Sequence, residues 1–346
     1  RRAFSSSTLI RRLWKSSWLR SPSLLRRTIS GRGSGEFACP IDESEGEAIR
    51  MASVLGRLAG GDAAGRCRGH SARPVLRCGQ PASNAGGAGS VVGDTTTTMM
   101  WIAGISPADV LEAFRPAVVS FHFGLPSPDL LARVKSWGSL VLSSATTVQE
   151  ALWLQAHDAD AVIAQGLEAG GHRGMFLSDD LSTQMGALAL LPQVVQAVKL
   201  PVIAAGGIAD AAGIAAARTL GAAGVQMGTA YLCSDEATTS VLHRAALQSA
   251  AAQHTALTNV FTGRPARGIV NRLMRELGPI SAAAPAFPLA TGAITPLRAA
   301  AEARQSSDFT PLWAGQNASR VLAQPAAQIT QNAIQAWHQA AKEKAA

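Results

Sequence analysis

The sequence predicts an α/β fold of the (β/α)8 barrel type, with its first strands missing or disrupted and a helical segment at its C-terminal end. Three observations carry this. From about residue 105, short apolar runs alternate with longer helical patterns, the signature of βαβ units on a parallel sheet. The successive units are short, and each strand run closes in Gly or Ser, which suits a barrel whose loops gather at one face. A G-x-G-x-x-G opening follows none of the runs, so a dinucleotide-binding Rossmann sheet is disfavoured.

The elements follow in order. AVVSFHF (117–123) reads as a buried strand and PDLLARVKSW as the helix after it. SLVLSSA (139–145) is a strand and TVQEALWLQAH a helix. ADAVIAQG (159–166) is a strand that runs into the loop QGLEAGGHRG. TQMGALALLPQVVQAVK is helical, LPVIAAGG (200–207) a strand and DAAGIAAARTLG a helix. AAGVQMG (222–228) is a strand, and DEATTSVLHRAALQSA a helix starting near Asp235. A last helix near 319–344 places Val321, Leu322, Ile329, Ile334 and Trp337 at packing positions.

Residues 37–104 are irregular: RPVLRC (73–78) and GAGSVVG (87–93) have strand character, but no helix lies between them. Residues 1–36 form a basic, Arg/Ser-rich tail with two readings, a mitochondrial transit-type peptide or non-native sequence, and are set apart from the fold. The barrel domain then spans 105–346. This tail also explains the formal charge of +8: residues 1–35 hold nine of the 31 basic residues and no acid, leaving 22 basic against 23 acidic ones. A body of net charge −1 gives no electrostatic case for nucleic acid. No apolar run approaches the ~18–20 residues of a membrane span. Cys39, Cys67, Cys78 and Cys233 form no metal spacing. Cys67, His70 and Cys78 lack a fourth ligand, so free thiols and a cytoplasmic setting are expected, or a mitochondrial one if the tail is a transit peptide.

Two strand ends carry chemistry. AAGG (204–207) and QMGT (226–229) are glycine loops after consecutive late strands, where barrels commonly bind phosphate. Glycine lets backbone N–H groups approach the oxygens, and a following helix N-terminus adds a favourable dipole. The plain alternative is two ordinary βα turns. His172 lies in the loop after the preceding strand, and an imidazole there can exchange a proton near neutral pH; the alternative is a solvated turn residue. His122 alternates with Phe121 and Phe123, so outward phenylalanines would aim it at the barrel mouth. Glu168 and Arg173 are expected to pair with neighbours.

QGLEAGGHRG, PVIAAGGIAD, GAAGVQMGTAYL, FTGRPARG, SFHFGLP and LWAGQ, spread over about 104–335, together resemble the class I nitronate monooxygenases. The resemblance implies an FMN-containing barrel that oxidises alkyl nitronates, and nitroalkanes, with O2 to carbonyl compounds and nitrite, without metal or nicotinamide. It implies His172 as the active-site histidine, and flavin contacts from Gln165 and the Gly170–Gly171 backbone. It implies Ala205, Gly206 and Gly207 at the phosphate, with Gln226, Met227, Gly228 and Thr229 completing the cradle; His122, placed at the mouth by alternation, is expected near the substrate. The family's opening P-I-x-x-A-P-M strand has no counterpart here, and 94–117 is too short for the third strand and its helices. A flavin-dependent enoyl-acyl-carrier-protein reductase, which shares the E-A-G-G-H loop, and a truncated inactive remnant are the rival readings.

Overall fold

The computed structural model of the protein describes residues 90–91 and 107–345. The expectation of disrupted first strands falls almost wholly outside them. Within 37–104 only β1, Ser90–Val91, is described, and it pairs antiparallel with Phe121 and His122.

The predicted alternation is present. Helix α1 (Pro107–Phe114) precedes β2 (Val118–His122), and α2 (Pro128–Ser136) leads to β3 (Leu140–Ala145). Helix α3 (Val148–Ala156) leads to β4 (Ala161–Gln165), and β5 (Gly171–His172) follows in the loop. Then come α4 (Ala187–Ala197), β6 (Val202–Ala205), α5 (Ala211–Thr219) and β7 (Gly224–Gln226). Strands β2, β3, β4, β6 and β7 pair in that order, all parallel. Among the described residues this sheet is an open arc of the barrel, with β1 at one edge and β7 at the other.

Side-chain alternation divides the arc into two faces. Val162 and Ala164 of β4 and Val202 and Ala204 of β6 point outward, into a core with Leu154, Leu190, Val194 and Ile214 of the covering helices. Leu142, Ala161, Ile163, Ile203 and Ala205 form the cluster on the concave face. Val119 and Phe121 of β2 pack outward with Val134 of α2 and Val141. The next inward positions at the strand ends are therefore His122, Ser144, Gln165 and Ala205. This is how the sheet delivers a row of side chains to one site.

Three helix starts are capped by side chains: Ser127 accepts from Leu130, Thr147 from Glu150 and Asp210 from Gly213. At α4 the N-cap is Gly186, which has no side chain to offer. The Glu168 carboxylate, reaching over from the glycine loop, accepts from the Ala187 N–H instead, at 2.8 Å. The loop is thus tied to the next helix.

Two expectations are corrected. The helix expected from Asp235 begins at Val241 (α6, Val241–Leu247), because Ser240 caps it and the Thr/Ser-rich stretch before it favours turns. A short 3-10 turn, Thr229–Tyr231, takes its place directly after the glycine loop. Phe123 does not face outward with Phe121: its φ is +65°, so the chain leaves the strand there and the ring turns toward the strand ends.

A second, antiparallel sheet was not anticipated. Strand β8 (Thr255–Thr258) pairs with β9 (Ala266–Ile269), which also pairs with β5. Helices α7 (Arg272–Leu277) and α8 (Leu289–Glu302) pack over Val260, Phe261 and Phe309. Helix α9 (Ala326–Ala345) lies on α5, where Trp337 joins the outer core and stacks under Arg218 at 4.6 Å. Among the described residues no helix is long and apolar enough to cross a membrane, and no cluster of metal-ligating side chains occurs. Cys233 is a buried free thiol whose ionisation burial disfavours; the other three cysteines and His70 lie outside the described residues.

Candidate functional site

A cavity opens at the C-terminal ends of the parallel strands. Its walls are His122 of β2, Ser144 of β3, Ile163 and Gln165 of β4, Ala205 of β6 and Gln226 of β7. Its rim is formed by Ala169–Gly170, Gly206–Ala209, Met227–Thr229, Gly315 and Asn317. Of the residues expected at the site, ten line this cavity: His122, Gln165, Gly170, Ala205, Gly206, Gly207, Gln226, Met227, Gly228 and Thr229.

The two glycine loops lie side by side because β6 and β7 pair directly, Ala205 opposite Gln226. Gly206 and Gly207 have φ of +110° and +71°, and a Cβ on Gly206 would stand 3.0 Å from the Ala169 nitrogen. Only glycine takes this path without strain. Among the described residues, the N–H groups of Gly206, Gly207, Gly228 and Thr229 donate to no protein acceptor. Helix α5 begins four residues after Gly207, and the 3-10 turn begins at Thr229. Asn317 Nδ2 donates to the Gly207 carbonyl at 3.0 Å, and the Gly315 N–H donates to Thr229 Oγ1 at 2.9 Å, so LWAGQ and the Asn317 after it tie both loops together. A concave rim of unspent amides fits a phosphate. Among the described residues, no Lys or Arg lines the cavity.

Gln165 and His122 are fixed by one carbonyl. Gln165 Nε2 donates to the His172 carbonyl oxygen at 3.0 Å, while its Oε1 accepts from the Gly174 N–H at 2.7 Å. His122 Nε2 is 3.2 Å from the same oxygen, which can only accept, so Nε2 carries the proton and Nδ1 accepts from Ser144 Oγ at 3.1 Å. Burial pushes the His122 imidazole down to about 4, with the nearby cations Arg264 and Arg173 adding to the effect; the ring is neutral at ordinary pH.

His172 and Gly171 do not line this cavity. Their place in β5, with His172 opposite Ala266 of β9, turns the imidazole into an adjoining aromatic chamber. Its neighbours are Phe123, Phe287 and Trp313, at centroid distances of 6.0, 5.7 and 5.6 Å. Nε2 lies 2.9 Å from Thr262 Oγ1. That hydroxyl gives its hydrogen to the Arg264 carbonyl at 3.2 Å, so the histidine donates, and the lone pair of its neutral form sits on Nδ1. His172 thus holds two cavity-lining side chains, His122 and Gln165, by its carbonyl, and meets the aromatic rings by its imidazole.

Arg173 pairs with its neighbours, as expected, through hydrogen bonds. It is fully buried and donates to Gln184 Oε1 and to the Gly166 and Gln165 carbonyls at 3.0, 2.7 and 2.8 Å, bracing the loop from beneath. Burial, with Arg267 nearby, lowers its ionisation to about 10. The sequence reading missed Ser144, Asn317, Thr262, Phe287 and Trp313. Of these, Thr262 and Trp313 fall inside quoted motifs, FTGRPARG and LWAGQ, whose role was not read.

Residues 82–334 match the profile of the family described as Nitronate monooxygenase. The chain belongs to the nitronate monooxygenase family. It is 43% identical over 222 residues to a nitronate monooxygenase of Pseudomonas aeruginosa, covering 64% of this chain and 63% of the relative. It is 44% identical over 217 residues to one of Paraburkholderia phytofirmans, covering 62% and 59%. The chain therefore spans just under two thirds of the length of these curated relatives. Among solved structures it is similar to a nitroalkane oxidase from Streptomyces ansochromogenes, at 42% identity, TM-score 0.63 and 68% of each chain. It is also similar to FabK from Thermotoga maritima, at 27% identity and TM-score 0.55, over 68% of this chain and 72% of that one. Membership of this family agrees with the arc of parallel strands and alternating helices.

Proposed function

We propose that this protein is an FMN-dependent nitronate monooxygenase, taking small alkyl nitronates, and neutral nitroalkanes less readily, with O2 to carbonyl compounds and nitrite. The observation that supports it most is the pairing of an amide-rimmed cavity at the β6 and β7 ends with a histidine on the next loop, in a chain of this family. FMN, when bound, supplies the electron-transfer chemistry. The amides of Gly206, Gly207, Gly228 and Thr229 would hold its phosphate, and Gln165, Gln226 and the Gly170 backbone would border the rest of it.

The chain's own side chains then have distinct tasks. The rings of Phe123, Phe287 and Trp313 around His172 would suit a short alkyl group. Thr262 fixes the His172 ring, and the imidazole would take a proton from a neutral nitroalkane or, once protonated, donate to a nitro oxygen. His122 stays neutral and holds the carbonyl of His172 in register with Gln165.

Release of the cofactor by heat and its identification by mass tests the first part; a nucleotide with a second phosphate overturns FMN. His172→Asn keeps the cofactor and loses about 10²–10⁴-fold in nitronate-dependent O2 uptake, and more with nitroalkane. Parent-like uptake in that variant overturns the role. The FabK similarity gives the second reading: reduction of the flavin by NADPH with turnover of a crotonyl thioester points to an enoyl reductase instead.

A further inference from the structure

Arg264 lies two residues after Thr262, in the segment between β8 and β9. Its guanidinium carbon stands 3.9 Å over the Phe123 ring, and Nη2 donates to the Met175 carbonyl at 2.5 Å. Its Nε is buried and has no hydrogen-bond partner. Among the described residues it forms no ion pair; Asp179 and Glu150 act on it only at longer range. A half-buried cation without a partner carboxylate is costly to keep, and an anion bound nearby relieves that cost.

Phe123 connects this cation to the reaction chamber. Its centroid is 4.5 Å from that of His122 and 6.0 Å from that of His172. The Arg264 charge is felt across that ring, since it helps to hold His122 neutral. Arg173 and Arg267, the other buried cations close by, spend their donors on the carbonyls of Gln165, Gly166 and Leu167, beneath the loop.

We infer that Arg264 is a positioning residue that selects substrate charge: stacked behind Phe123, it favours an anionic nitronate over the neutral nitroalkane beside His172. This rests on the proposed monooxygenase reading. A nitronate is the conjugate base of a nitroalkane, nearly the same in shape and different by one negative charge. Packing against Phe123, Phe287 and Trp313 treats the two alike, so discrimination between them falls to charge. At a separation of roughly 8 Å and an effective dielectric of about 20, one cation corresponds to roughly a tenfold to thirtyfold preference for the anion.

The test is anaerobic equilibrium binding of ethylnitronate and of nitroethane to the full chain, read by tryptophan fluorescence, which the proximity of Trp313 to His172 makes responsive. The parent is expected to bind ethylnitronate the more tightly. Arg264→Met should lose about tenfold in ethylnitronate affinity and stay within twofold for nitroethane, while Arg264→Lys should keep most of the discrimination. Should Arg264→Met lose its far-UV circular dichroism, Arg264→Gln takes its place, because it can still donate to the Met175 carbonyl without the charge. Should that variant unfold as well, Arg264→Lys decides alone, and loss of discrimination there counts against the role. An uncharged variant that keeps the parent's discrimination, or weakens both ligands equally, overturns the role of Arg264 alone. A parent that binds neither probe overturns the proposed reaction, and the role with it.

Discussion

At the scale of single residues, His122 carries a consequence for stability. Its imidazole titrates near 4 in the fold and near 6.5 in the unfolded chain, because burial disfavours the charged ring. Between these values the unfolded chain binds a proton that the folded chain does not, so stability rises with pH across this window. Acidifying from about pH 6.5 to 4 should therefore remove up to about 3 kcal/mol through this one group, and further acid should remove no more through it. Denaturant midpoints measured at closely spaced pH values give the slope. His122→Gln, which can still donate to the His172 carbonyl, should flatten it. An unchanged slope in that variant means another group is responsible.

At the scale of elements, the loop after β4 works because its glycines have different tasks. A Cβ on Gly170 would come within 2.5 Å of the Ala314 carbonyl carbon and the Gly315 nitrogen, both backbone. Gly171 has nothing within 4 Å but a φ of +72°. Gly170→Ala should therefore displace the LWAGQ segment, cost about 1–3 kcal/mol and lower the flavin bound per chain. Gly171→Ala should cost about 1 kcal/mol of backbone strain and keep its flavin. Equal flavin content in both, read from the visible absorbance of purified protein, would count against this division. The same contrast shows what was legible in the sequence. The parallel strands were, because two-faced burial makes them continuous apolar runs such as AVIA and VIAA, and both glycine loops close such runs. The antiparallel sheet was not: β5 has only two residues, too few for any period, and β9 carries Arg267 and Gly268. Alternation placed His122 on the concave face but failed one residue pair later, at Phe123, where φ becomes positive. The chamber around His172 was hidden for another reason: Phe123, Thr262, Phe287 and Trp313 are far apart in sequence and meet only in the fold.

At the scale of the whole molecule, the cradle depends on a helix that never reaches it. β6 and β7 supply both glycine loops, α5 links them, and α9 lies along α5. Tyr231, at the end of the turn that follows Gly228, is 2.9 Å from Thr330 of α9 through their hydroxyls. Asp210, the N-cap of α5, pairs with Arg320 at 3.1 Å, just before α9. The C-terminal segment thus clamps the elements behind both loops; of the packing positions expected from the sequence, Ile329 and Trp337 are buried, whereas Leu322 is exposed and, like Val321, precedes the helix, which begins at Ala326. Trp337 is the largest side chain in that contact. It is held between Arg218 and the apolar cluster of Ile214 and Ala217 on α5. Trp337→Ala should leave a cavity there and cost about 3 kcal/mol, visible as a lower denaturant midpoint. Because the lost contact lies behind the cradle and not in it, cofactor affinity should fall by less than tenfold in the folded variant. Flavin release on heating should then track the lowered unfolding transition rather than precede it. Release well below that transition, followed by flavin fluorescence beside far-UV circular dichroism, would mean that α9 shapes the cradle directly.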